Sequence, residues 1–234
     1  MKIFLMYYDR YETATTSKMI DIEHFVLCHN NKEKFNCIGK NATIIETGQP
    51  KGIQNNFNYG LEMLEDGEWG IFMSDDCIGA KKIKEKKFVE CDTMLPINEL
   101  IKIIPIAEES GIKLIGLNNT GNSFYFKNNF SYSGLVDGRC FAIKKTSFKF
   151  HSEINTIPDY YATIYHKKKY KYNLIINYTF LDFKRYEKGG LGNINDRIYD
   201  KIKDINIIKS IYPNSIEIKE KANHPTGSHI IIKK

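Results

Sequence analysis

Two adjacent carboxylates, Asp75 and Asp76, follow directly on the apolar run Trp-Gly-Ile-Phe-Met at 69–73 and the hydroxyl of Ser74. Neighbouring negative charges disfavour double ionisation unless a cation lies between them. A hard divalent ion that prefers oxygen ligands, Mn²⁺ or Mg²⁺, is the natural cation. The chemistry expected here is therefore metal-assisted. A solvated turn with Asp at its first positions fits these residues equally well. Four other stretches carry groups able to do chemistry. Asp159 follows Pro158 where a helix is due to start. Arg185-Tyr-Glu-Lys-Gly-Gly-Leu-Gly192 sets Arg185 and Lys188 beside Gly189 and Gly190, whose backbone N–H groups can approach an anion. Its spacing is neither a P-loop nor a dinucleotide fingerprint, and a plain connector has the same composition. His224 and His229 enclose Pro-Thr-Gly-Ser near the C-terminus. His166-Lys-Lys-Lys-Tyr-Lys-Tyr172 interleaves cations with aromatics, a pattern that suits either a helix C-terminus or a nucleic-acid surface.

The elements that must position these groups can be read from periodicity. Residues 69–73 are apolar on both faces, which predicts a strand inside a covered sheet with the two acids at its carboxyl end, where α/β sheets bind ligands. Residues 2–8, 24–28, 42–46, 112–117, 135–143, 173–180 and 230–232 also predict strands. Helices are predicted over 17–23, 96–110, from 158 to 166 and over 195–211. Another is predicted from Gly52, with Ile53, Phe57, Leu61 and Leu64 on one face and Asn55 and Asn58 flanking it. Pro105 predicts a kink or an early end in the helix over 96–110. The lysine run at 81–87 predicts a solvated loop or face. Residues 118–134 read as a long loop with a hairpin through Asn128-Asn129. Strands alternating with helices give an α/β class with a mostly parallel central sheet, covered by helices on both faces.

With 234 residues, 42% hydrophobic and 13% aromatic, one ordered domain over 1–234 is expected. The net charge of +6 favours anionic partners such as nucleotides, nucleic acid or acidic glycans. Five scattered Cys with no C-x-x-C pair argue against a disulfide framework or a zinc site, and point to a reducing cytoplasm. The apolar run at 3–8 is too short for a membrane span or a signal peptide, so no membrane association is expected. Heavy use of Lys, Asn and Ile matches the codon bias of an AT-rich genome, and so part of the basic charge has a mutational origin.

Three segments in this order resemble the GT-A fold of nucleotide-sugar glycosyltransferases. Gly52-x5-Asn58-x-Gly60-Leu61 is similar to that family's helix with an Asn facing the donor nucleotide, although Phe57 stands where the family often has Arg. Ser74-Asp75-Asp76 resembles the DxD motif, with Ser74 at the position that touches the ribose and Asp76 at the metal-binding one. Asp159 is similar to the family's second acid. The resemblance implies a UDP-sugar donor bound by Tyr8, Gly52, Asn55, Asn58, Ser74, Asp75, Arg185, Lys188, Gly189 and Gly190. It implies Mn²⁺ or Mg²⁺ on Asp76 with His224 or His229. Asp159 would be the base if configuration is inverted, or an acceptor-orienting residue if it is retained. The Arg-x-x-x-Gly-Gly loop and the closing His-Pro-Thr-Gly-Ser-His further resemble the TET/JBP-associated glycosyltransferases, largely phage-type enzymes. That likeness implies a 5-hydroxymethylpyrimidine in DNA as acceptor and the host cell cytoplasm as location. Two other readings stand beside it: transfer to a polysaccharide, lipid-linked sugar or protein, and a non-catalytic nucleic-acid-binding module on a transferase fold.

Overall fold

Strand β1 (Lys2–Tyr7) shows how the sheet is covered. Its alternate side chains enter two separate apolar layers: Ile3, Leu5 and Tyr7 on one face, Phe4 and Met6 on the other. A strand has period two, so this split requires helices on both faces. The computed structural model describes residues 1–7, 15–30, 38–120, 122–123, 129–184, 194–220 and 228–233. Within them, β1 pairs in parallel with β2 (His24–Cys28) and with β4 (Trp69–Ser74), and β2 pairs in parallel with β3 (Ala42–Glu46). Next come β5 (Cys77–Lys84), β6 (Lys87–Cys91), β7 (Leu114–Leu117), β8 (Phe130–Ser131), β9 (Cys140–Lys144) and β10 (Leu174–Ile176). The main sheet has eight strands in the order β3-β2-β1-β4-β9-β7-β10-β8. β9 and β8 run against the other six.

The chain thus builds outward from β1 to β3, then returns to set β4 on the other side of β1. That reversal is a topological switch point, and its carboxyl end lies between Tyr7 and Ser74. Helix α1 (Ile53–Glu62) makes the return. It packs Phe57 and Leu61 on the face that carries Phe4 and Phe72. Gly60 allows the close approach, since a Cβ there would lie 2.6 Å from the Phe72 ring. Aromatic rings form the centre of the layer: Phe72 stacks on Phe4 and Phe141, and Phe57 meets Phe72, Phe141 and Phe150. Helix α3 (Pro158–Tyr170) completes this face, and α2 (Met94–Glu109) covers the other with Ile97, Leu100 and Ala107.

A second, three-stranded sheet, β11-β5-β6 with β11 (Thr179–Phe183), is antiparallel and begins directly after Asp76. Helix α4 (Ile194–Ile211) and the hairpin of β12 (Ile216–Glu220) with β13 (Ser228–Ile232) form a third apolar cluster with Ile154, Ile157 and Ile164. No helix among the described residues is long and apolar enough to cross a membrane.

Four expected elements differ. The helix over 17–23 is only a 3₁₀ turn, Thr16–Met19, because Thr16 and Ser17 are buried and spend their hydroxyls on Cys77 N, His24 and Gly39 N. α2 continues past Pro105 to Glu109 and so does not end early there; the proline sits on its exposed side, where water can reach the carbonyl left without a donor. The lysine run folds as the β5–β6 hairpin, turning at Glu85 and Lys86, both at positive φ. The segment 173–180 divides at Asn177-Tyr178 between β10 of the main sheet and β11 of the small one.

Candidate functional site

The carboxylates at the end of β4 part company. Asp75 turns inward and is 4% exposed. Burial, with the Asp75 charge next in importance, raises the pKa of the Tyr7 phenol at the end of β1. Asp76 stays half-buried, and its Oδ1 accepts from Ser74 Oγ at 2.7 Å. Thr15 and Thr16 pin the next residue: Cys77 N donates to Thr16 Oγ1 at 2.9 Å, and Thr15 Oγ1 donates to Cys77 O at 3.1 Å. The direction of Asp76 is therefore fixed by a hydroxyl before it and a backbone anchor after it.

The segment Asp137-Gly138-Arg139, just before β9, joins this strand end to α3. Ser74 N donates to Arg139 O at 2.8 Å. Gly138 N donates to Asp159 Oδ2 at 3.3 Å, and Tyr160 N donates to Asp159 Oδ1 at 3.0 Å. Arg139 grips Asp137 through Nε at 2.8 Å and Nη2 at 2.6 Å, a two-pronged pair. Its guanidinium also lies over the Phe183 ring at 5.3 Å. Burial pulls the Arg139 pKa down, but the bonds to Asp137 and the charges of Asp137, Asp159 and Asp76 outweigh it, and the net direction is up. Arg139 is thus within electrostatic reach of both Asp76 and Asp159. Asp159 itself is pushed up to about 7, by desolvation first and by the like charge of Asp137 second, against the lowering effect of its backbone N–H donors.

Ser74, the 137–139 segment and Asp159 edge one cleft of 260 Å³, and Asp76 lies just outside its lining, held by Ser74. Its walls are Ile53 and Phe57 of α1, Ser74 of β4, the 137–139 segment, and Thr156, Pro158 and Asp159 at the start of α3. Asp204 of α4, fully buried, holds that start in place. Its Oδ2 accepts from Thr156 N at 2.6 Å, Thr156 Oγ1 at 2.7 Å and Ile157 N at 3.3 Å, doing from a distance what an N-cap residue does locally. On the α1 side, Gln54 Nε2 reaches Ser152 O at 2.8 Å and the Asn155 side chain.

The structure brings Ser74, Arg139 and Asp159 to one cleft with Ile53 and Phe57 of α1, and leaves Asp76 outside the lining, bonded to Ser74 and within range of the Arg139 charge. Gly52 precedes the first turn of α1 at φ 139°, a conformation only glycine takes readily, and a Cβ there would strike the Gln54 amide. The two α1 asparagines have other work. Asn58 exchanges two bonds with the backbone of Phe150, at 2.7 and 2.8 Å, which uses its amide as a strand would. Asn55 Nδ2 ties Pro50 O at 3.0 Å. Neither lines the cleft. Tyr8, Arg185, Lys188, Gly189, Gly190 and His224 lie outside the described residues, and His229 is placed only by its backbone, opposite Lys219 in the β12–β13 hairpin.

Among the described residues no three His, Cys, Asp or Glu side chains converge as a protein cage for a metal. Asp76 fits the other mode of binding, in which one or two carboxylates hold Mg²⁺ or Mn²⁺ and substrate phosphates supply further ligands. Asp137, Gly138, Arg139 and Asp204 were not among the expected site residues. Their signal was charge out of place: Asp-Gly-Arg interrupts the apolar stretch 135–143, and Asp204 shares the inner face of α4 with Ile205 and Ile208.

No family model matches the chain, and no curated protein matches it. Among solved structures, one titled "Crystal Structure of a Mycobacterial Protein" superposes with a TM-score of 0.55 at 10% identity, covering 99% of this chain and 83% of that one. A197 from STIV gives 0.44 at 9% identity, covering 79% and 86%. CMP:2-keto-3-deoxy-manno-octonic acid synthetase, complexed with CTP, gives 0.36 at 10% identity, covering 88% and 98%. The first likeness is one of fold alone; the other two are too remote to bear on function.

Proposed function

We propose that the cleft transfers a sugar from a nucleotide-sugar donor, a UDP-sugar, to a hydroxyl group, with a divalent cation on Asp76. The observation that supports this is that Ser74, whose hydroxyl holds the Asp76 carboxylate, shares a cleft with Arg139 and Asp159 at the carboxyl end of the sheet's switch point. The cation would offset the negative charge that grows on the departing diphosphate. The chain's own residues supply the rest. Ser74 orients the Asp76 carboxylate. Asp159, near half-ionised at neutral pH, takes the proton from the attacking hydroxyl. The N–H groups of Gly138 and Tyr160 hold that carboxylate in place before and after the proton arrives. Ile53 and Phe57 form an apolar wall that disfavours water, whose attack on the donor is the competing reaction. The acceptor we propose is the hydroxyl of a 5-hydroxymethylpyrimidine in DNA, supported by the net charge of +6.

Thermal unfolding with UDP, and with a panel of UDP-sugars, tests the donor half. A ligand at about a hundred times its Kd adds ~2.7 kcal/mol. For a chain of this length that raises Tm by roughly 5–10 °C. The rise should require Mn²⁺ or Mg²⁺ and disappear in Asp76→Asn. No shift in the wild-type protein with millimolar UDP and Mn²⁺ refutes the reading. A shift without turnover on hydroxymethylated DNA, but with turnover on a glycan or protein, replaces the acceptor only.

A further inference from the structure

The geometry points to the β5–β6 hairpin as a docking surface for a nucleic-acid backbone. This rests on the proposed function only in taking the cleft as the place where the acceptor reacts. Between Lys81 and Glu90 the hairpin carries five lysines and two glutamates. Lys81 is neutralised by Asp182 at 3.5 Å and lies over the Phe180 ring. Lys82, Lys84, Lys86 and Lys87 are exposed and make no ion pair among the described residues. Lys84 and Lys87 stand directly opposite each other in the register, and Lys86 occupies the turn between them. Like charges across a ladder destabilise it. Three ammonium groups, on Lys84, Lys86 and Lys87, crowd the tip around the single carboxylate of Glu85, with Lys82 two residues back, so the tip keeps a net positive charge that an outside anion would relieve.

Position decides what kind of anion. β5 starts directly after Asp76 and has eight residues, so the tip stands about 26 Å along the strand from the proposed metal-binding carboxylate. A small anion cannot touch both places. A duplex lying from the cleft to the tip would present roughly 15 phosphates over that length. Ile83 N donates to Tyr178 O at 2.7 Å, just past the carboxyl end of β10. The tip therefore lies at the same end of the main sheet as Ser74.

The other basic run, 167–169, lies at the opposite end of the main sheet from this cleft and from the hairpin tip. α3 leaves the cleft at Asp159, and its 13 residues carry it about 20 Å to the opposite end of the sheet, where β10 begins. His166 is fully buried there, bonded to Ala162 O at 2.8 Å. Lys169 is occupied by Tyr165 Oη and Ser147 Oγ, and Lys167 by Lys233 O. The interleaved cations and tyrosines that suggested a nucleic-acid surface in the sequence thus face away from the reaction.

The test uses the full-length protein and fluorescent duplex DNA of mixed sequence without modified bases, titrated from 25 to 200 mM NaCl. Each phosphate contact contributes about 0.9 to the slope of log affinity against log salt. The quadruple variant Lys82→Gln, Lys84→Gln, Lys86→Gln, Lys87→Gln should flatten that slope by about 3 and lower affinity at 25 mM salt at least tenfold. The triple variant Lys167→Gln, Lys168→Gln, Lys169→Gln should change neither. Unchanged binding in the quadruple variant overturns the proposal. So does loss of binding in the triple variant alone, absence of DNA binding at 25 mM salt, or equal competition by polyglutamate of matched charge, which would indicate an acidic protein partner. The UDP-dependent thermal shift should survive in the quadruple variant. If the wild type lacks that shift while DNA binding still follows the hairpin lysines, the transfer reading fails and this surface stands.

Discussion

Replacing Asp159 with Asn should make the protein more stable at high pH while removing its activity. The carboxyl titrates at about 7 in the folded protein against a usual 3.8. Its folded-state pKa is raised, so between those values the native state binds the extra proton and stability falls as pH rises. Above about 7 the loss is complete. At about 1.4 kcal/mol per pKa unit, the ionisation penalty is on the order of 2 kcal/mol at pH 5 and 4 kcal/mol at pH 8. Asparagine has no such penalty. It does lose one good acceptor, since its NH₂ would face either the Gly138 or the Tyr160 N–H, at a cost of about 1–2 kcal/mol. Urea unfolding should therefore find Asp159→Asn level with the wild type at pH 5 and ahead by about 2–3 kcal/mol at pH 8. Turnover should drop by about 10²–10⁴, the usual worth of a general base. A variant whose stability relative to wild type is the same at both pH values refutes the argument that this carboxyl is held out of its normal range. A variant with normal turnover refutes its role as base.

Asp137→Asn removes the like charge that helps hold Asp159 up. The acidic limb of the kcat/KM profile, expected near 7 in the wild type, should move to lower pH; a limb that stays in place assigns it to another group. Asp204→Ala strips the cap from α3 and leaves the N–H groups of Thr156 and Ile157 buried without their acceptor. It should cost about 2 kcal/mol in urea, with an unchanged m-value; a loss under about 0.5 kcal/mol means that water replaces the carboxylate.

The parts of the fold legible in the sequence were those with one strong periodicity. β1, β2 and β4 are short and largely apolar on both faces, and α1 repeats its apolar residues at steps of four and three, so pattern and structure agree there. The acid-bearing end of β4 was legible for the same reason, because charge stopping an apolar run marks a strand's exit. What the sequence hid was partnership at a distance. Thr16 and Ser17 look like helix residues until Cys77 N and His24 claim their hydroxyls. Asn58 looks like a ligand contact until Phe150 takes both halves of its amide. Asp137 and Arg139 look like two charges lost in a strand, because nothing local says that they will neutralise each other beside Asp76 and Asp159. Thr16 and Asn58 are satisfied by residues far along the chain, a pairing that no periodicity encodes, whereas Asp137 and Arg139 pair with each other across a single residue.

Distant pairing also ties together the two acids, from opposite halves of the chain, on which the proposed transfer depends. Asp76 hangs on β4 and Asp159 on α3, two elements with different neighbours in the core. Three residues make them one unit. Arg139 O receives Ser74 N from the strand, Gly138 N donates to Asp159 on the helix, and Asp137 anchors the Arg139 guanidinium between them. Gly138 is the necessary residue at the centre, since a Cβ there would come within 3.1 Å of Asp159 Cβ. A displacement of α3 is therefore coupled to the end of β4 through the bond from Gly138 N to the Asp159 side chain and the backbone bond from Ser74 N to Arg139 O. The separation of the two carboxylates becomes a property of the sheet and not of the flexible chain around it.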